Sequence, residues 1–373
     1  MSKETGMSTS SINTSQTKPQ VARTIFGDNP IATDGFEFLE YTSPNPDNLA
    51  KDFENLGFVA IAKHRTKNVI LYQQGSINFI LNREAGLAQE FASTHGSGVC
   101  AMGFRVLDAQ AAYKKLINLG AEPYESKTGK GELTIPAIHG IGGTVIYLVD
   151  QYGQNTIYET DFQLLPGKQY NSHTGGGLTY IDHVTHNVHR GNMNKWANFY
   201  EKLFNFKEIR YFDIEGKLTG LVSRAMTSPC GRIRIPLNES SDDKSQIEEF
   251  LREFNGEGIQ HIALGTDDIY ATVSSLKENK INFQDVPDTY YELLDARVEQ
   301  HNERKAELQK LKILVDGAPT KGQGLLLQIF TQNMLGPVFF EIIQRKGNEG
   351  FGEGNFQALF ESIERDQIKR GVI

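Results

Sequence analysis

An α+β fold built twice on one plan is predicted by three features of the sequence. Short apolar runs bounded by Gly and Pro alternate with amphipathic stretches such as 108–119 and 194–203. Gly98-Val99-Cys100-Ala101-Met102-Gly103 lies without gaps against Gly258-Ile259-Gln260-His261-Ile262-Ala263, and such self-similarity marks a repeated unit. The 373 residues are enough chain for two cores.

Taken in order, residues 1–27 are rich in Ser and Thr and read as a disordered, solvated tail, without the apolar stretch that a signal peptide needs. The first repeated unit starts at Gly35-Phe36-Glu37-Phe38, followed by Leu56-Gly57-Phe58. Its counterpart is Tyr180-Ile181-Asp182-His183, followed by Phe204-Asn205-Phe206. The strands at 98–103 and 258–263 each lead into a helix, through Ala112, Leu116 and Leu119 in one case and Val273 and Leu276 in the other. Asp108 and Asp268 hold matching places before them. A third pair sets Val145-Ile146-Tyr147-Leu148-Val149 against Phe339-Phe340-Glu341-Ile342-Ile343.

Composition narrows the function. Hydrophobic residues make up 39% and charged residues 23%, and no apolar run approaches the roughly 18 residues of a membrane helix. The formal net charge of −8, with scattered Lys and Arg, offers no basic stripe for nucleic acid. Two cysteines, Cys100 and Cys230, allow at most one bridge and fit a reducing cytoplasm.

The halves differ where chemistry is at stake. His183, His261 and Glu341 in the second half face Phe38, Ala101 and Tyr147 in the first, so one half has the donors for a metal and the other does not. Residues i and i+2 share a strand face, which groups His183 with Ile181 and Thr185 and turns Asp182 and His186 away. Glu341 lies in apolar sequence, where a carboxylate is costly unless it is paired or binds a cation. A lone strand histidine is more often a hydrogen-bonded core residue than a ligand, but matched positions in a repeat reverse that expectation. Two imidazoles and one carboxylate form the facial triad of non-haem Fe(II) oxygenases, which leaves positions open for a chelating substrate and dioxygen.

From roughly residue 28 to 370 the sequence resembles the 4-hydroxyphenylpyruvate dioxygenases of the vicinal oxygen chelate superfamily. The resemblance rests on Ile181-Asp182-His183-Val184, Gly258 to Ala263, Phe339 to Arg345, and Gly350-Phe351-Gly352-Glu353-Gly354-Asn355-Phe356. It implies two open β-barrel domains of paired βαβββ modules: a metal-free one at 28–164, a linker at 165–177, and an iron-binding one at 178–373 with a C-terminal helix as gate. It puts Fe(II) on His183, His261 and Glu341, and 4-hydroxyphenylpyruvate against Ser223, Asn238, Gln246, Gln260, Gln328, Phe330, Phe356 and Phe360, with Gln328 and Phe330 catalytic. It further implies conversion of 4-hydroxyphenylpyruvate and O2 to homogentisate and CO2 in tyrosine and phenylalanine catabolism, by a cytoplasmic homo-oligomer that binds neither nucleic acid nor membrane. A hydroxymandelate synthase-type benzylic oxygenase and a non-catalytic binding protein on the same fold are the alternatives. The charge-laced stretch 290–312 has no counterpart in the first half and reads as a solvated helix and loop that covers the barrel or contacts another subunit.

Overall fold

A strand buried along its whole length opens the first half, with Asp34, Glu37 and Glu40 buried among its apolar residues. The computed structural model describes residues 23–215, 220–356 and 358. In the first half these form strands β1 (Thr33–Thr42), β2 (Val59–His64), β3 (Val69–Gln74), β4 (Ile77–Asn82), β5 (Gly98–Val106), β6 (Pro123–Tyr124), β7 (Ala137–His139), β8 (Val145–Val149) and β9 (Phe162–Leu164). Helices α1 (Pro46–Asn55), α2 (Leu87–His95), α3 (Ala109–Asn118) and α4 (Ile157–Asp161) connect them.

The second half repeats the plan with β10 (Leu178–Val188), β11 (Lys207–Glu215), β12 (Gly220–Thr227), β13 (Arg234–Ser240), β14 (Gly258–Thr266), β15 (Leu314–Gly317), β16 (Leu325–Phe330) and β17 (Phe339–Lys346). Its helices are α5 (Met193–Phe204), α6 (Gln246–Glu253), α7 (Ile269–Glu278), α8 (Asp288–Glu292), α9 (Leu294–Arg297) and α10 (Lys305–Leu311).

Each half is one curled sheet, and the strand orders match. The first runs β6-β7-β8-β5-β1-β4-β3-β2-β9, and the second, read from its other edge, runs β15-β16-β17-β14-β10-β13-β12-β11. The central pairings agree in direction as well. β1 with β4 and β10 with β13 are parallel, and β1 with β5 and β10 with β14 antiparallel. The matched aspartates cap matched helices: Asp108 accepts from the Ala111 N–H at α3, and Asp268 from those of Tyr270 and Ala271 at α7.

Irregularities are duplicated too. In β1/β5 the register shifts between Phe36 and Phe38 and again between Glu40 and Tyr41; in β10/β14 it shifts between Ile181 and His183 and between Thr185 and His186. Each shift is a β-bulge that inserts one residue and breaks strict alternation. The inserted residues are Glu37 and Cys100 in the first half and Asp182 and Gln260 in the second.

The main core lies between the outer sheet faces and the helices and joins the halves, as in the contacts of Phe79 with Phe340, 6.2 Å between ring centres, and of Phe104 with Phe204, 5.5 Å. The inner faces differ. In the first half Phe38, Leu71, Ile80 and Tyr158 pack into a separate apolar cluster, and the Phe38 ring lies 5.9 Å from that of Tyr147. Gly103 permits this, because a Cβ there would fall 2.6 Å from Phe38 Cε1.

Residues 23–27 correct the tail assignment at its inner end. The N–H groups of Ile25 and Phe26 both donate to the Pro229 carbonyl, at 2.7 and 3.1 Å, which ties this segment to the second half. The stretch 290–312 lies against the edge strand β15, where Tyr290 Oη accepts from Val315 N at 2.9 Å and Tyr291 Oη donates to Ile313 O at 3.1 Å. Most of the expected C-terminal gate helix, with Phe360, falls outside the described residues.

His186 packs away from the inner face, buried, with Nε2 on the Tyr200 hydroxyl at 2.8 Å, and burial pushes its pKa down to about 3. Below pH ~6.5 the unfolded chain therefore takes up a proton that the folded one refuses, so this group's contribution is intact above that pH and falls by roughly 1.4 kcal/mol per unit as the pH drops. Urea unfolding from pH 7 to 5 should show a steeper stability loss for the wild type than for His186→Gln; parallel curves would refute the assignment.

Candidate metal centre

Three strands bring the candidate ligands together. β10 carries His183, the adjacent β14 carries His261, and β17, parallel to β14, carries Glu341. Cross-strand register places His183 and Glu341 on either side of Ala263, and the first half has Phe38, Gly103 and Tyr147 in the same row. Glu341 Oε2 lies 3.2 Å from His183 Nε2 and 3.5 Å from His261 Nε2. One ligand atom from each of the three fits within a 4.8 Å span, and all three side chains are buried.

The bulges explain how both imidazoles are held. Asp182 accepts from His183 Nδ1 at 2.8 Å, and Gln260 Oε1 accepts from His261 Nδ1 at 2.9 Å. Strict alternation turned Asp182 away from His183. The extra residue brings it alongside, while Ile181 leaves the His183 face and packs toward the main core. Arg345 in turn clamps Asp182 through Nε at 2.7 Å and Nη2 at 2.8 Å, a bidentate pair. Gly265 admits the Tyr180 ring over β14, where a Cβ would lie 2.2 Å from it, and the Tyr180 hydroxyl reaches Asp182 Oδ2 at 3.4 Å.

The charges follow from this packing. Burial alone would raise the Asp182 pKa, but the Arg345 guanidinium outweighs it and holds the carboxyl well below the usual range. Burial likewise opposes ionisation of Glu341, and the two imidazoles outweigh it and lower the pKa. Burial would lower His183, yet the Glu341 and Asp182 carboxylates raise it; for His261 burial prevails and lowers it. The remaining oxygen, Glu341 Oε1, is buried with no hydrogen-bond partner among the described residues. Two Nε2 atoms and a carboxylate with an unused oxygen converge on one point, which fits a divalent transition metal such as Fe(II).

A cavity of about 250 Å³ opens beside this group. His183, His261 and Glu341 line it together with Ser223, Asn238, Gln246, Gln260, Phe330 and Phe356. Phe212, Ser223 and Asn238 form one row across β11, β12 and β13. Gln328 lies behind the wall, buried under Gly352 and Asn355. Phe360 is outside the described residues. Sequence reasoning missed Thr185, whose hydroxyl is 3.0 Å from His261 Nε2, and two rings: Phe339, stacked 4.9 Å from His261, and Phe351, edge-on 5.3 Å from His183. Phe339 carried a signal, since it precedes Glu341 by two residues on the same strand face. A larger, arginine-lined cleft of about 780 Å³ lies between the halves behind Asp182, and four of its five arginines, 105, 232, 234 and 345, are paired with carboxylates.

Known proteins share this architecture and sequence. Residues 27–163 match the model for the N-terminal part of hydroxyphenylpyruvate dioxygenase, and residues 180–295 that of the glyoxalase, bleomycin resistance protein and dioxygenase superfamily. The 4-hydroxyphenylpyruvate dioxygenase of Pseudomonas aeruginosa is 58% identical over 349 residues, which cover 92% of this chain and 97% of that one. The chain belongs to the 4-hydroxyphenylpyruvate dioxygenase family. It is an enzyme of the dioxygenase type with the vicinal oxygen chelate fold. Hemolysin VllY of Vibrio vulnificus, a further relative, is 61% identical over 350 residues, 92% of this chain and 98% of its own. A solved variant of 4-hydroxymandelate synthase from Streptomyces coelicolor superposes with a TM-score of 0.77 over 90% of this chain and 99% of that one; at 24% identity it shares the fold.

In this dioxygenase family member His183→Ala, His261→Ala and Glu341→Ala should each abolish tight Fe(II) binding in competition with a chelator, while Phe38→His should create no second site. Asp182→Asn, which spares all three ligands, should weaken binding by about 10–100-fold. Unchanged affinity in Asp182→Asn would show that the bulge carboxylate does not support the centre.

Proposed function

We propose that the protein is an Fe(II)-dependent dioxygenase that converts 4-hydroxyphenylpyruvate and O2 to homogentisate and CO2 in tyrosine and phenylalanine catabolism, acting in the cytoplasm as a homo-oligomer. The observation that carries this reading is the donor set His183, His261 and Glu341 at the wall of a cavity lined by both rings and amides. Bound Fe(II) supplies the redox chemistry between O2 and an oxo acid. The protein supplies position and dryness.

Each part of the cavity suits one part of the substrate. Ser223, Asn238, Gln246 and Gln260 offer hydrogen bonds, and the Phe330 and Phe356 rings offer flat faces to a phenol. Phe330 sits opposite Glu341 in the β16/β17 register, so a substrate anchored at the ligands passes directly along its ring. The domains that frame the site are proposed at 28–164 and 178–373, with the linker at 165–177. A non-catalytic role for the fold would be expected to go with a broken triad, such as Phe38, Ala101 and Tyr147 in the first half.

Product analysis tests this. Incubation with Fe(II), O2 and 4-hydroxyphenylpyruvate should yield homogentisate by chromatography; hydroxymandelate would assign the benzylic oxidation instead, and no O2 uptake would refute both. Uptake should need no 2-oxoglutarate, because the substrate carries its own oxo acid. Phe330→Ala or Phe356→Ala loses a ring contact of about 0.5–1.5 kcal/mol, and misplacement of roughly 1 Å costs about a hundredfold in rate. These variants should therefore release CO2 but form less homogentisate per O2 consumed. A lowered melting temperature with tight coupling would make the rings core residues.

A further inference from the structure

The inserted helices α8 and α9 end in a chain of hydrogen bonds that reaches the buried amide of Gln328. Arg297 Nη2 donates to Tyr290 Oη at 2.6 Å and to Val315 O at 2.7 Å, and lies 3.4 Å from Asn355 Oδ1. Tyr290 Oη also receives Val315 N, so both of its acceptor positions are taken, and of the two acceptors within reach of its single proton, Asn355 Oδ1 at 2.6 Å is nearer than Val315 O at 3.1 Å, which Arg297 already supplies. An arginine has only donors, and the tyrosine has only its donor left. The Asn355 atom that meets them must be oxygen, and its Nδ2 must face the other way, toward Gln328 Oε1 at 3.3 Å.

The orientation passes on to Gln328. With Oε1 committed to Asn355, the donor Nε2 is the atom left over, and it is buried without a partner among the described residues. Gln328 lies on the same face of β16 as Phe330, which lines the cavity, and one row from Glu341 in the sheet, so its amide stands directly behind the cavity wall. Gly352, at φ +82°, gives the amide room, since a Cβ there would lie 1.9 Å from Gln328 Oε1. An unpaired buried amide is costly unless something bound to the site uses it.

We propose that Arg297, Tyr290 and Asn355 are positioning residues that fix the Gln328 side chain with its N–H₂ turned inward, ready for an acceptor oxygen of the oxo-acid substrate. The stretch 290–312, which the first half lacks, thus sets the polarity of one buried amide. The proposal rests on the function proposed above for its ligand, but not for its geometry.

Two measurements test it. In iron-loaded protein, Asn355→Asp presents a carboxylate oxygen to Gln328, which must flip and turn Oε1 inward. The KM for 4-hydroxyphenylpyruvate should rise about tenfold, the loss of one hydrogen bond to a charged group. In a Gln328→Ala background the same change should add nothing to KM. Arg297→Gln should raise KM in the same direction, and Arg297→Lys should restore it in part. Independently of substrate, side-chain ¹⁵N labelling of glutamine should show the Gln328 amide resonance, identified by its loss in Gln328→Glu, shifting in Asn355→Asp and Arg297→Gln. A lowered melting temperature with KM and resonance unchanged would overturn the proposal. If the wild type does not turn over 4-hydroxyphenylpyruvate, the substrate reading falls and the resonance alone decides the relay.

Discussion

Two hydrogen bonds, from His183 Nδ1 to Asp182 and from His261 Nδ1 to Gln260, are the constraint on which the rest of the site depends. Each fixes a ring plane and leaves Nε2 as the atom that faces Glu341. Each is possible only because a β-bulge puts two neighbouring residues on one side of a strand that would otherwise send them to opposite faces. Arg345 then neutralises the carboxylate so placed, since a buried anion beside a ligand would otherwise be expensive.

The two halves show what the same backbone does with different side chains. The first fills its inner face with Phe38, Tyr147 and their neighbours and gains apolar burial. The second forgoes much of that gain: among the described residues its inner apolar cluster is Ala263, Leu326 and Ile343, and the adjoining space is a cavity. The shared core between the outer faces and the helices supports both, so a hollow interior in one half does not leave the molecule without a core.

Much of this was legible in the sequence. The repeat could be read because both halves keep one register, so that Gly98 to Gly103 and Gly258 to Ala263 align without gaps, and the three donors stood out against Phe38, Ala101 and Tyr147. What was not legible followed from the bulges. Alternation of period two has no way to register one inserted residue, so Asp182 was turned from the site and Ile181 placed with it. Thr185 was grouped correctly with His183, yet its contact with His261 depends on a strand 76 residues away. The same distance problem hid the path from Arg297 to Gln328, which runs through Tyr290 and Asn355 and is local in neither helix nor strand.

The duplicated bulges carry one more consequence. Glu37 and Cys100 occupy the same insertions in the half without metal donors as Asp182 and Gln260 do in the half with them. Backbone pairing alone therefore generates the kinks, with rings where the donors would stand. The scaffold of the centre is a property of the sheet and not of the ion: it is preorganised, and the ion meets a frame that folding has already paid to build.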